Sequence, residues 1–239
     1  MSGFTLIAHR GLSAAAPENT QISFRLAIEG GFSDIELDVQ LSNDAVPVVI
    51  HDDTVERTTN GEGRVDELSL EKLKRLDAGS WFDAHYAGLR IMTLAEVLNE
   101  FAGQAYLHIE LKSEQQELAA KVAEAIDKAG LYDITSEALG ITITSFHLNQ
   151  LKRSLKLLPR LKHAWLVKDI DRSVVDAALE CGIAELCPKA ENVTLARVDM
   201  AKQNGLSVRG WGVKTRDDLV RLQTAGADGA TVNEIEDKI

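Results

Sequence analysis

Four short stretches of the chain carry side chains able to act together: His9-Arg10-Gly11, Glu36 and Asp38 in DIELDV, His51-Asp52-Asp53, and His108, Glu110 and Lys112 in HIELK. Alternate side chains of a β-strand share a face. Along Asp34–Val39, Ile35, Leu37 and Val39 take one face, leaving Glu36 and Asp38 together on the other. Along Leu107–Lys112, His108, Glu110 and Lys112 are likewise separated from Leu107, Ile109 and Leu111. Paired carboxylates in a core strand repel each other and are costly to desolvate. Either a bound cation or a nearby arginine relieves them. Glu110 makes a three-carboxylate set with Glu36 and Asp38, and all-oxygen ligands suit a hard divalent cation, Mg²⁺ or Ca²⁺, rather than zinc.

His9 and His51 each follow an apolar run, so each imidazole is expected at a strand end. Two groups that titrate near neutrality can share acid and base roles around a leaving group. Arg10 offers a planar fork for an oxyanion such as phosphate, and Lys112 adds a compact charge. His108 is expected deeper, as a hydrogen-bonded interior residue. Trp211 faces the same way as Arg209 and either packs on a ligand's carbon skeleton or caps the fold, and Phe146 has the same two readings. His85 and Tyr86 are expected in a solvated loop, His147 and His163 as structural or exposed groups, and the acids from Glu234 to Asp237 as a solvated face.

These groups need a scaffold that gathers strand ends. Strand-length apolar runs alternate with helix-period segments: Phe4–Ala8, Asp34–Val39, Ala105–Leu111, Ile141–Phe146, His163–Val167, Ala184–Cys187, Ser207–Val213 and Asp228–Val232. Between them lie helical stretches at Thr20–Glu29, Thr93–Phe101, Glu114–Lys128, Asn149–Leu157, Ser173–Glu180, Thr194–Gln203 and Asp217–Thr224. Gly30-Gly31, Gly130, Gly182, Gly205 and Gly226 follow helix ends. Eight such pulses predict an α/β fold, a TIM-type (β/α)₈ barrel. A doubly wound sheet is the alternative, but the chain has no Gly-x-Gly-x-x-Gly fingerprint. One region breaks the rhythm: a hairpin partner at Val46–Ile50 and then residues 51–90, with a turn at Thr58–Gly61 and a short amphipathic helix at Ser69–Leu76. The expectation is a single catalytic barrel domain over residues 1–239, with residues 51–90 inserted after the second strand on the face that carries the chemistry.

Composition narrows the function classes. The 239 residues are 45% hydrophobic and 26% charged, an ordinary globular balance. A net charge of −11 argues against a nucleic-acid partner. No apolar run is long enough to span a bilayer. The opening MSGFTLIAHRG lacks a signal peptide's charged leader and apolar stretch, so a cytoplasmic location is expected. Cys181 and Cys187 are too few for a disulfide framework. The oligomeric state, including a homo-oligomer, is left open.

In order, the motifs resemble the glycerophosphodiester phosphodiesterase family: HRG at 9–11, PENT at 17–20, IELDV at 35–39, VVIHDD at 48–53, ERTTNGEG at 56–63, LDAGSWF at 76–82 and HIELK at 108–112. The likeness is dense over residues 4–112 and looser to Gly229. It implies a TIM-type barrel and metal-dependent hydrolysis of glycerophosphodiesters, a small-molecule substrate class, to glycerol 3-phosphate and an alcohol. It further implies Glu36, Asp38 and Glu110 as metal ligands, His9 and His51 as the catalytic pair, Arg10 and Lys112 as phosphate contacts, and Glu18 and Asn19 as site-lining residues. The first nucleophile is water or the substrate's own 2-hydroxyl, and His51 is assigned to the leaving group. The C-terminal third departs: Trp211-Gly212-Val213-Lys214 stands where members often carry Trp-Thr-Val-Asn, and Ala230–Glu234 where they often carry Ile-Thr-Asp-x-Pro. His147 stands where an acid is common. Two rivals are a lyase of the phospholipase D toxin type, which would yield a cyclic phosphate, and a barrel retained only as a binding module.

Overall fold

The computed structural model describes residues 3–132 and 140–234. Eight parallel strands close into a barrel: β1 (Thr5–His9), β2 (Asp34–Leu41), β4 (Tyr106–Leu111), β5 (Ile141–Ser145), β6 (Lys162–Val167), β7 (Glu185–Pro188), β8 (Ser207–Gly210) and β9 (Gly229–Val232). A short ninth strand, β3 (Pro47–Val49), lies antiparallel on β2, as the hairpin reading expected. Closure comes from β1 pairing with both β2 and β9. The register sets His9 beside Glu36 and Asp38 beside Glu110, so residues distant in sequence meet at one height.

The outer layer follows from the apolar spacing. Helix α1 (Gln21–Glu29) starts at a Thr20 capping box, while α2 (Leu70–Arg75) belongs to the insertion. Helix α3 (Leu94–Phe101) starts at a second capping box, with Thr93 and Glu96, and buries Leu94, Val97, Leu98 and Phe101 at helical spacing. Phe101 meets Phe24 of α1 edge to face at 5.4 Å, a pair whose loss to alanine is worth about 3–5 kcal/mol per ring. The remaining helices are α4 (Leu118–Lys128), α5 (Leu148–Leu157), α6 (Arg172–Cys181), α7 (Leu195–Gln203) and α8 (Arg216–Thr224).

Two boundaries differ clearly from expectation. The helix expected from Glu114 begins at Leu118, because Gln150 of α5 donates to the carbonyls of Ser113 and Gln115 and holds that stretch out of the helix. The strand expected to reach Val213 stops at Gly210, and Gly212, at φ 71°, turns the chain away. Of the expected pair Gly30-Gly31 after α1, Gly31 takes the left-handed conformation.

Residues 51–90 carry two single 3₁₀ turns, Val65–Glu67 and Ala84–Tyr86, besides α2. Val48, Ile50, Val55, Val65, Leu73, Ala78 and Ile91 give this region its own small core. The Tyr86 hydroxyl donates to the Ala15 carbonyl at 2.9 Å, tying the insertion to the loop after β1. Among the described residues no helix is long and apolar enough to cross a membrane, and Cys181 and Cys187 are free thiols. Beyond Glu234, the expected acidic face lies outside the described residues.

Candidate active site

The loop after β1 is bent to present Arg10. Arg10 and Asn19 both sit in the left-handed region, at φ 58° and 57°, a strain of about 1–2 kcal/mol each for residues with a Cβ. Gly11 follows at φ 76°, and a Cβ there would lie 2.5 Å from the Ser23 backbone, so only glycine fits. This bend sends the Arg10 N–H to Glu36 Oε2 (3.1 Å), Nη1 to Glu18 Oε1 (2.8 Å), and Nε to within 3.1 Å of Asp38 Oδ2. Asn19 Nδ2 donates to the same Asp38 oxygen at 2.8 Å.

Glu36, Asp38 and Glu110 come together as the strand alternation requires, each buried and each offering an oxygen within 4.8 Å of the others. Lys112 Nζ donates to Glu110 at 2.9 Å and lies 3.6 Å from Asp38. Two cations therefore face three acids, and the acids divide unequally. Burial pushes the Asp38 carboxyl up, but Arg10 and Lys112 outweigh it and hold the group at about 2. Burial and then the Asp38 charge push Glu36 well above the usual carboxylate range and Glu110 to about 7. Glu36 Oε1 and Asp38 Oδ1 are buried without a hydrogen-bond partner. A cluster of hard oxygen donors, one negative charge in excess and two oxygens unpaired, fits a divalent cation.

The two imidazoles flank this cluster with unlike partners. His9 Nδ1 donates to Asn233 Oδ1 at 2.6 Å, which turns Nε2 toward Glu36, 3.9 Å away. Burial and the Arg10 charge lower His9 to about 4, so its ring is neutral. His51 Nδ1 donates instead to a carboxylate, Asp52 Oδ1, at 2.6 Å. Burial, against a counter-pull from Asp38, lowers His51 as well. Gln40 Nε2, the next inward residue after Asp38 on β2, donates to the carbonyls of His51 and Asp52 at 3.0 and 2.6 Å and fixes that loop. Arg57, from the insertion, forks onto both Asp52 and Glu18 with contacts of 2.6–2.9 Å. Arg57 therefore ties the His51 loop to the Arg10 loop.

One cavity of about 280 Å³ joins these groups: His9, Arg10, Glu36, His51, Glu110 and Lys112 form one wall, and Phe146, Trp211, Leu166 and Val213 contribute the other. Phe146 and Trp211 meet edge to face at 5.2 Å. Glu18 and Asn19 stand behind this wall and line a narrower recess with His51. His85 and Tyr86 do not line the main cavity. His108 lies deeper, bonded to Asp34 at 2.9 Å, as expected of an interior residue. His163 is likewise buried, on Ser154 and the Leu161 carbonyl. His147 lies on the surface, 3.3 Å from Glu114.

The sequence model of the glycerophosphoryl diester phosphodiesterase family matches residues 9–237. The chain belongs to that family. A glycerophosphodiester phosphodiesterase of Caldanaerobacter subterraneus is 38% identical over 97% of this chain and 94% of its own length. One of Bacillus subtilis is 33% identical over 95% of this chain and 82% of its own. Among solved structures, an Oleispira antarctica phosphodiesterase in complex with the product sn-glycerol-3-phosphate superposes with a TM-score of 0.89 at 29% identity, covering 98% of this chain and 94% of that one. Family membership carries the activity class: the chain is an enzyme, a phosphodiesterase of glycerophosphodiesters.

Sequence reading missed three members of the site. Gln40 was legible, since it continues the Glu36–Asp38 alternation by one step. Asn233 reaches His9 from the far end of the chain, and Arg57, within the ERTTNGEG motif, gives no sign that it bridges Asp52 to Glu18. A second ionic group below the cavity, Glu185 with Lys162 and Arg209, was also missed, although Glu185 and Arg209 lie on expected strands.

Proposed function

We propose that the chain hydrolyses glycerophosphodiesters to glycerol 3-phosphate and an alcohol, using a Mg²⁺ or Ca²⁺ held by Glu36, Asp38 and Glu110 and the pair His9 and His51. The observation that carries this reading is the meeting, in one cavity, of an under-neutralised buried acid cluster, an Arg10–Lys112 clamp and two imidazoles. Once bound, the cation supplies Lewis-acid charge withdrawal from a phosphoryl oxygen. Arg10, oriented by Glu18 and Asp38, and Lys112, oriented by Glu110, bind phosphoryl oxygens and stabilise the charge that grows on them.

His9, neutral and with Nδ1 occupied by a neutral amide, holds a free Nε2 lone pair and takes the nucleophile's proton. His51 is lowered by burial, but the Asp52 carboxylate on its Nδ1 and the Asp38 charge support the imidazolium form when it gives its proton to the departing alkoxide. Trp211 and Phe146 pack on the carbon skeleton, while Glu18 and Asn19 act by orienting Arg10 and Asp38. The two free cysteines support the cytoplasmic setting expected above.

The test is an assay of released glycerol 3-phosphate on glycerophospho-choline, -ethanolamine, -glycerol and -inositol, with and without EDTA and with Asp38→Asn. Chelation should abolish turnover, Mg²⁺ or Ca²⁺ should restore it, and Asp38→Asn should lower kcat/KM by on the order of a hundredfold or more, the scale of losing one transition-state electrostatic contact. Full activity in metal-free enzyme overturns the metal assignment. A cyclic phosphate product converts the reading to a lyase, and no product at all to a binding module.

A further inference from the structure

Arg209, on β8, is 4% exposed and still forms part of the cavity lining. Two of its three guanidinium nitrogens are engaged: Nε donates to Glu185 Oε1 at 2.9 Å and Nη1 to Thr231 Oγ1 at 2.5 Å. Nη2 is buried with no hydrogen-bond partner among the described residues. A buried N–H left unpaired is costly, and native structures rarely keep one without a use. Of the other four buried side-chain atoms in the same condition, three belong to the site above: Glu36 Oε1, Asp38 Oδ1 and Arg10 Nε.

The local charge points the same way. Glu185 faces two cations, Arg209 and Lys162, so this trio carries one positive charge in excess just below the cavity. Glu185 keeps a counter-ion in Lys162 even without Arg209, so ion pairing alone does not call for a guanidinium here. Thr231 and Thr144, beside Arg209 in the lining, add hydroxyls to the same floor. The rim is different: Phe146 there is 40% exposed and the wall beside it is apolar. A deep, rigidly held donor suits the part of the substrate common to all glycerophosphodiesters, and an open apolar rim suits the alcohol that varies among them.

We propose that Arg209 is a specificity-determining residue whose Nη2 donates a hydrogen bond to a hydroxyl oxygen of the glycerol moiety on the cavity floor. This rests on the hydrolytic reading above. The site then selects for glycerol because an analogue lacking the hydroxyl leaves a buried guanidinium N–H unpaired.

Two diesters with one leaving group test it: glyceryl p-nitrophenyl phosphate and n-propyl p-nitrophenyl phosphate, which differ only in the two glycerol hydroxyls. The wild-type enzyme should prefer the glyceryl diester in kcat/KM. Arg209→Lys keeps a cation for Glu185 but loses the third nitrogen, and it should cut that preference by about tenfold or more while the propyl diester keeps its rate. If Arg209→Lys does not fold, the paired replacement Arg209→Met with Glu185→Met removes both buried charges together and should show the same collapse of preference. Equal losses on both substrates make Arg209 purely structural and overturn the inference, as does an unchanged preference. If the wild type releases glycerol 3-phosphate but shows no preference, the inference falls while the hydrolytic reading stands. If it hydrolyses no glycerophosphodiester, the hydrolytic reading falls too.

Discussion

Two buried charge clusters occupy two depths of one barrel, and they are built to opposite specifications. The upper one holds Glu36, Asp38 and Glu110 against Arg10 and Lys112. Its acids outnumber its cations, two carboxyls are pushed up, and two oxygens are unpaired. The lower one holds Glu185 between Arg209 and Lys162. There burial again pushes the carboxyl up, but Arg209 and Lys162 hold Glu185 far below the usual carboxylate range. Both clusters are shielded from water, so burial does not explain the contrast. Counter-charge does. The lower acid, Glu185, is satisfied within the chain, whereas Glu36 and Asp38 in the upper cluster each keep an oxygen unpaired, and the difference separates an acid paired by the fold from acids left open to a ligand.

The sharpest way to break this comparison is at the two histidines that flank the upper cluster. His9→Ala and His51→Ala should each lower kcat by roughly 10²–10⁴, the range for losing a general acid or base. The double variant should lose less than the product of the single factors, since the two act as a unit. With a p-nitrophenolate leaving group, which needs no proton, His51→Ala should be largely rescued while His9→Ala stays slow. The opposite pattern would exchange the roles, and equal rescue of both or of neither would refute the division of labour.

At Glu185 the expected damage is to folding rather than chemistry. Glu185→Ala leaves Arg209 buried without its carboxylate, and breaking a buried pair in this way costs about 3–5 kcal/mol. Replacing Glu185 and Arg209 together by methionine should recover much of that loss. Denaturant unfolding of both variants checks this, and a single variant as stable as the wild type would show that the lower pair does not hold the barrel together.

How much of this was legible in sequence follows the range of the interaction. Strand periodicity alone put Glu36 beside Asp38 and Glu110 beside Lys112, because one-residue alternation is a local property of β-structure. The barrel followed from eight such runs separated by helices. His9 and His51 were legible as strand-end imidazoles, and Asp52 stands next to His51 in sequence, but the partner of His9 and the bridge from Asp52 to Glu18 were not legible. Asn233 is 224 positions from His9, and Arg57 reaches Glu18 across 39 positions and a separate small core. Only closure of the barrel makes these neighbours. The false helix start at Glu114 has the same origin, since its residues have helical composition and a glutamine on the next helix takes their carbonyls.

The smallest expected effect is the most direct reading of the upper cluster's missing charge. Burial and the neighbouring Asp38 charge raise Glu110 from an ordinary 4.5 to about 7, so in metal-free protein the native state keeps a proton that the unfolded chain has released. Stability from this group is therefore full below about pH 4.5 and is lost as pH rises through about 7. A divalent cation binds the deprotonated carboxylates, so it competes with that proton and binds more tightly as pH rises. Thermal unfolding with EDTA should thus show Tm falling from about pH 5 to about pH 8 by roughly 5–10 °C, the scale of ~2–3 kcal/mol in a chain of this size. Added Mg²⁺ or Ca²⁺ should raise Tm more at the upper pH than at the lower. Glu110→Gln, which is neutral throughout, should flatten the pH dependence in EDTA and shrink the cation's effect. A cation-induced shift equal at both pH values would mean that the upper acids are already ionised without metal, and the contrast between the two clusters would lose its electrostatic basis.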